Sequence, residues 1–199
     1  LTIDPVDAKD FDDAIWVRER ERGWEMAVHI ADVAHYVKPD TALDREARER
    51  GNSTYLVDRV LPMLPEALSN GICSLVPAED RLTCCVLMWF DHEGTMIKAR
   101  FEKAVIRSKA RLTYAEAQDM LEGKTRVIDP LRSEIACALT ECWKLASLMR
   151  KRRFAAGALD LDFPEIRVEL DNFGRPTGFR REEYCESHQL IEEFMLAAN

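Results

Sequence analysis

Residues 2–15, TIDPVDAKDFDDAI, place Asp4, Asp7, Asp10, Asp12 and Asp13 between two apolar stretches, Leu1 and Ile3 on entry and Ala14 to Val17 on exit. No other feature constrains the fold as strongly. Carboxylates this close repel one another, and removing them from water is costly. The apolar flanks nevertheless pull them toward the interior. An acidic run is ordinarily a solvated loop. Here Phe11 sits inside the run, which contains neither glycine nor serine, so a freely floating loop is a poor fit. The segment calls for positive charge.

The residue types narrow what that charge is. A calcium loop of the EF-hand kind needs a mid-loop glycine and a terminal bidentate glutamate, and both are missing. Magnesium takes a few carboxylates, keeps several waters and completes its shell with phosphate oxygens. Four carboxylates exceed the needs of one such ion. Two ions about 4 Å apart, sharing a scissile phosphate, would use them all. This is phosphodiester chemistry.

A chain of 199 residues can bury one good core, and 47% apolar with 32% charged residues is ordinary globular composition. No apolar run approaches the roughly 18 residues of a membrane span, and no signal peptide opens the chain. Leu1 stands where an initiator Met would, and Thr2-Ile3 already reads as a strand, so the chain is expected to be a piece of something longer. Cys73, Cys84, Cys85, Cys137, Cys142 and Cys185 form no C-x-x-C pair. Buried, reduced thiols in a cytoplasmic protein fit them better than a zinc site. A net charge of −8 argues weakly against a nucleic-acid partner. The charge is segregated, however. Lys98, Arg100, Lys103, Arg107, Lys109 and Arg111 crowd one segment, and RKRR (150–153) forms a second basic cluster.

Periodicity places the elements. WEMAVHIADV (24–33) alternates Trp24, Met26, Val28 and Ile30 on one face of a strand. DTALDREARERG reads as a short helix capped by Asp40 or Thr41 and stopped by Gly51. Residues 52–77 are irregular and, by their length, functional. Strands follow near 82–90 and 96–107 around the turn DHEG. TYAE (113–116) spells a capping box for a helix ending at Gly123. The longest helix runs from Pro130 to about Phe154, ended by Gly157. ALDLDF (158–163) alternates, IRVEL (166–170) is a strand, DNFG turns, and a last helix covers about 186–198. The fold class is α+β, a mixed sheet core flanked by helices in one domain.

The motifs resemble the RNB domain, the catalytic core of the ribonuclease II and ribonuclease R exoribonucleases. TIDPVDAKDFDDA is similar to that family's catalytic signature. The resemblance continues in order through HIADVAHYV (29–37), LDREARERGNSTYL (43–56), LPMLPEALSNGICSL (61–75), SKARLTY (108–114), GALDLDFPE (157–165) and LIEEFMLAAN (190–199). The wording is closer to the bacterial ribonuclease R branch. Residues 1–199 would form the first half of an RNB domain. The resemblance places the family's charge-stabilising arginine and flanking RNA-binding barrels outside them, so that alone they would cleave weakly or not at all.

The resemblance implies a magnesium-dependent hydrolase, with manganese as substitute, that degrades single-stranded RNA processively from its 3′ end to 5′-nucleoside monophosphates. Asp4, Asp10, Asp12 and Asp13 correspond to the catalytic aspartates. Asp4 and Asp13 would ligate metal directly, and Asp10 would support the first ion or help hold a second. Asp12 would orient the attacking water or the second ion. Asp7 falls where the family varies and reads as a solvated acid. Tyr55 corresponds to the aromatic that closes over the 3′-terminal base, and Phe163 to a second stacking aromatic. Tyr114 would contact ribose, although helix capping explains TYAE almost as well. Glu192 corresponds to the acid that reads terminal ribose hydroxyls. Glu193 lies about 100° around the helix from it, so only one of the two should face substrate. The histidines read as structural, with His188, at i−4 from Glu192, left open. The alternatives are an RNB remnant that binds RNA without cutting it and a divalent-cation domain with no RNA substrate.

Overall fold

A computed structural model describes residues 1–124, 129–159, 161, 166–171, 173–181 and 183–199. Strand β1 (Thr2–Asp4) leads through the acidic loop into β2 (Asp13–Arg20), which turns back as β3 (Gly23–Ala31). Two helices follow, α1 (Val33–Tyr36) and α2 (Ala42–Arg50), then the small hairpin β4 (Thr54–Tyr55) and β5 (Val60–Leu61). A wide helical turn at Ala67–Ile72 precedes the long strands β6 (Asp80–Phe90) and β7 (Met96–Arg107). Strand β8 (Arg111–Thr113) runs into α3 (Tyr114–Leu121), followed by α4 (Pro130–Ala155). A hairpin of β9 (Ile166–Leu170) and β10 (Pro176–Arg181) and the helix α5 (Glu186–Ala198) complete the described elements.

Strands β2, β3, β6 and β7 form an antiparallel sheet in that order. Its register puts Ile15 and Val17 of β2, Trp24, Met26 and Val28 of β3, and Val86, Met88 and Phe90 of β6 on one face. Leu139, Cys142 and Leu145 of α4 and Leu190 and Phe194 of α5 join them in the main core. Ile30 shares the alternation but is exposed. It lies opposite Asp13, at the end of the sheet where the acidic loop arrives. The other face carries a smaller cluster of Phe11, Ala14, Ala31, Cys73 and Leu75.

The expected caps are present. Thr41 accepts from the Asp44 amide and Gly51 closes α2 at φ 74°. Thr113 and Glu116 form the reciprocal capping box of α3, and Gly157, at φ 100°, follows the end of α4. Sequence pattern does not distinguish β2, β8 and β10, nor the short pair β4 and β5, which lies inside the 52–77 stretch expected to be irregular. The expectation of buried thiols holds for Cys73, Cys85 and Cys142; Cys185 is half-buried, and Cys84 and Cys137 are exposed. Much of the basic segment is paired with acids. Lys103 pairs with Asp32, Arg107 with Asp80, Arg100 with Glu102 and Lys109 with Glu134. No helix among the described residues is long and apolar enough to cross a membrane.

Candidate active site

The acidic loop is held from both sides. Strand β1 pairs in parallel with β8, setting Asp4 opposite Thr113, and the Ile15 amide donates to the Leu1 carbonyl at 2.9 Å. The start of β2 is thereby drawn beside β1. Between them Phe11 is buried in the smaller cluster. Its amide donates to Ser74 Oγ at 3.0 Å, and that hydroxyl donates to the Lys9 carbonyl at 2.7 Å. The Ala31 amide donates to the Asp12 carbonyl, and Arg111 Nη2 donates to the carbonyl of Pro5 at 2.5 Å. Backbone and ring, rather than the carboxylates, anchor the loop, which leaves the acids available.

Asp4 is 8% exposed, and burial pushes its carboxyl up to about 6. Burial does the same to Asp13, also to about 6, with Asp4 and Asp12 adding repulsion. Asp12 is raised as well, first by burial and then by Asp10. The four acids thus share one electrostatic neighbourhood. Among the described residues no lysine or arginine forms an ion pair with any of them. Asp4 Oδ2 and Asp13 Oδ2 are buried without a hydrogen-bond partner. Asp7 is different: it is exposed and lies 3.5 Å from Arg167, as a solvated acid should.

Two buried carboxylate oxygens without donors suit a hard cation. Among the described residues no three acid, histidine or cysteine side chains converge as a ready-made cage. Magnesium takes one or two carboxylates and draws its remaining oxygens from water and phosphate.

Tyr55 stands on the β4–β5 hairpin, 68% exposed, close enough to Asp10 and Asp12 for both to help burial raise its phenol. Tyr114 opens α3, while the capping itself belongs to Thr113 and Glu116. Burial, then Asp13 and Asp4, push its phenol up to about 12. Its ring stacks on His188 at 3.9 Å and 12°. His188 in turn approaches Tyr184, whose hydroxyl donates to Glu192 Oε2. Ring contacts and a hydrogen bond thus link Tyr114 to Glu192. Glu193 points inward and is 2% exposed, so only Glu192 is open to solvent. Phe163 lies outside the described residues.

Arg153 holds both glutamates. It donates to Glu193 Oε1 at 2.6 Å and 3.0 Å and to Glu192 Oε1 at 3.1 Å. Sequence reasoning saw Arg153 only as part of a basic cluster and did not single out Tyr184. The signal was the adjacent acids on an amphipathic helix, one of which had to be buried and so needed a cation.

The RNB domain family model matches residues 1–199. The chain belongs to the RNB family. It is 44% identical to ribonuclease R of Thermotoga maritima over 203 residues, covering 100% of this chain and 28% of that protein. An RNase R of Mycoplasma genitalium, solved in complex with double-stranded RNA, superposes with a TM-score of 0.94 at 33% identity, over 100% of this chain and 35% of that one. The RNB chain thus spans about a third or less of the relatives it matches. The yeast pseudonuclease Ssd1 shares the fold at a TM-score of 0.69 and 17% identity, over 98% of this chain and 23% of that one. Fold alone therefore does not make a nuclease.

Proposed function

We propose that this RNB chain carries the metal-binding part of a 3′-to-5′ exoribonuclease acting processively on single-stranded RNA. The observation that carries the reading is the pair of buried, partnerless oxygens Asp4 Oδ2 and Asp13 Oδ2 in a neighbourhood of four acids. Such a site is electrostatically unfavourable unless a cation enters it. Asp4 and Asp13 would hold magnesium or manganese with Asp10 beside them. The ion would supply an activated water and charge stabilisation at the phosphate. Asp12 orients the nucleophile, Tyr55 covers the terminal base, and Tyr114 and Glu192 face its ribose. With water attacking phosphorus and the P–O3′ bond breaking, the 3′-oxygen leaves with a proton on the shortened strand and the phosphate stays on the released nucleotide, so the products are 5′-nucleoside monophosphates rather than cyclic phosphates. Phe163 keeps its stacking role on the resemblance alone. Six free thiols fit a reducing compartment, which supports a cytoplasmic location. The partner is the 3′ end of a single strand; the flanking barrels of the family would lengthen its path.

The test is a 5′-labelled single-stranded RNA incubated with the full-length parent protein, with magnesium, manganese or EDTA. Metal-dependent shortening from the 3′ end with release of 5′-monophosphates, absent in Asp12→Asn, is the expected result. Internal cleavage, or shortening that persists in EDTA, refutes the proposal. Tight RNA binding with no turnover at any metal concentration would favour the non-catalytic remnant.

A further inference from the structure

The Glu192 carboxylate is not a free acid on a helix surface. Arg153, reaching across from α4, donates to Oε1, and the Tyr184 hydroxyl donates to Oε2. The same guanidinium is anchored by Glu193, whose side chain is 3% exposed, through bonds of 2.6 Å and 3.0 Å. An anchor of that kind is stiff, because breaking it would leave a buried charge uncompensated. Arg153 is thus fixed from beneath and Glu192 is fixed by Arg153. Tyr184 then sets the remaining rotation of the carboxylate.

A carboxylate offers about four acceptor positions, two on each oxygen. One donor on each oxygen leaves one acceptor position on each of the two oxygens. That arrangement matches a pair of vicinal hydroxyls. An untethered glutamate would offer the same acceptors in many orientations and lose side-chain entropy on binding.

We propose that Arg153 and Tyr184 are positioning residues that aim the Glu192 carboxylate at the 2′,3′-diol of a terminal ribose. The inference rests on the ribose-facing role of Glu192 and deepens it. Neither residue touches substrate; each acts through Glu192. Tyr184 is the cleaner handle, since its hydroxyl bonds Glu192 and leaves the Arg153–Glu193 pair untouched.

The experiment compares two oligoadenylates that differ only in a ribose or 2′-deoxyribose at the 3′ end. Binding is measured by competition, with magnesium, in an Asp12→Asn background so that RNA is not consumed. The unaltered pocket is expected to favour ribose by about tenfold or more, the scale of a hydrogen bond to a charged group. Tyr184→Phe should reduce that preference roughly two- to tenfold, with the unfolding midpoint unchanged. Arg153→Lys is the second variant. In the structure Nη2 bonds both acids while Nε fixes the guanidinium on Glu193; an ammonium lacks that second, directional donor and holds Glu192 in no fixed orientation, so the preference should fall again. Glu192→Gln separates the two readings. If the unaltered pocket shows no binding or no preference, or Glu192→Gln leaves the preference intact, the ribose role of Glu192 fails and the inference fails with it. A preference that Glu192→Gln removes but Tyr184→Phe and Arg153→Lys leave whole overturns the positioning role alone. Unfolding of Tyr184→Phe would assign that hydroxyl to stability and also overturn it.

Discussion

Replacing Asp4 by asparagine should make the metal-free protein more stable, which runs against the usual cost of altering a buried residue. In the folded chain Asp4 titrates at about 6, against an ordinary value of 3.8. The difference is roughly two pH units, or about 3 kcal/mol at 1.36 kcal/mol per unit. Between about pH 4 and pH 6 the native state binds more protons than the unfolded one, so stability falls as pH rises through that window. Above about pH 6 the full penalty is present, and below about pH 4 it is absent. Asp13 is raised in the same direction, but the two acids repel each other and their penalties are not independent. Asp4→Asn keeps the shape and removes the charge, so at pH 7.5 in EDTA it should gain about 1–3 kcal/mol. Magnesium should reverse the ranking. A ligand at a hundred times its dissociation constant stabilises by about 2.7 kcal/mol, and only the unaltered site can bind it. Urea unfolding at pH 4 and pH 7.5, with EDTA or magnesium, reads all four quantities. A variant less stable than the original at pH 7.5 in EDTA, or stabilised by magnesium to the same degree, would refute the reasoning and make Asp4 a structural acid.

Four further outcomes are expected. Asp12→Asn should abolish hydrolysis while leaving RNA affinity intact or improved, since removing a negative charge does not weaken attraction for phosphate; a large loss of affinity in a filter-binding assay would make Asp12 structural. Tyr55→Ala should weaken single-stranded RNA binding by about 1–3 kcal/mol, the range of one base stacked on an aromatic ring, with no change in unfolding midpoint. Arg153→Ala should destabilise by about 3–5 kcal/mol in chemical denaturation, because it strips the bidentate partner from the buried Glu193 carboxylate. Gly23→Ala should prevent native folding altogether: Gly23 adopts φ 127°, and a Cβ there would lie 2.0 Å from the Phe90 carbonyl oxygen. A native circular-dichroism spectrum for that variant would show that the β2–β3 turn can shift away from β6.

Much of this protein is local enough to be read along the chain. The capping box at Thr113 and Glu116, the helix stop at Gly51 and the alternation through Trp24, Met26 and Val28 depend on neighbours within a few positions. The acidic loop belongs with them, because its conflict of charge and apolar flanks exists in the sequence itself. So does the separation of Glu192 from Glu193, which follows from helix geometry. What lay beyond reach depends on residues brought together by folding. Nothing in the order of residues pairs Lys103 with Asp32 or Arg107 with Asp80; only the folded sheet brings these acids to the basic segment. Arg153 and Glu193 are 40 positions apart and meet only because α4 and α5 pack on the same sheet face. Tyr114 reaches His188, and through it Tyr184, by the same packing. Short-range sterics and hydrogen bonding leave their mark in adjacent residues. Charge compensation and side-chain orientation act across space, and only the packed structure says which groups share it.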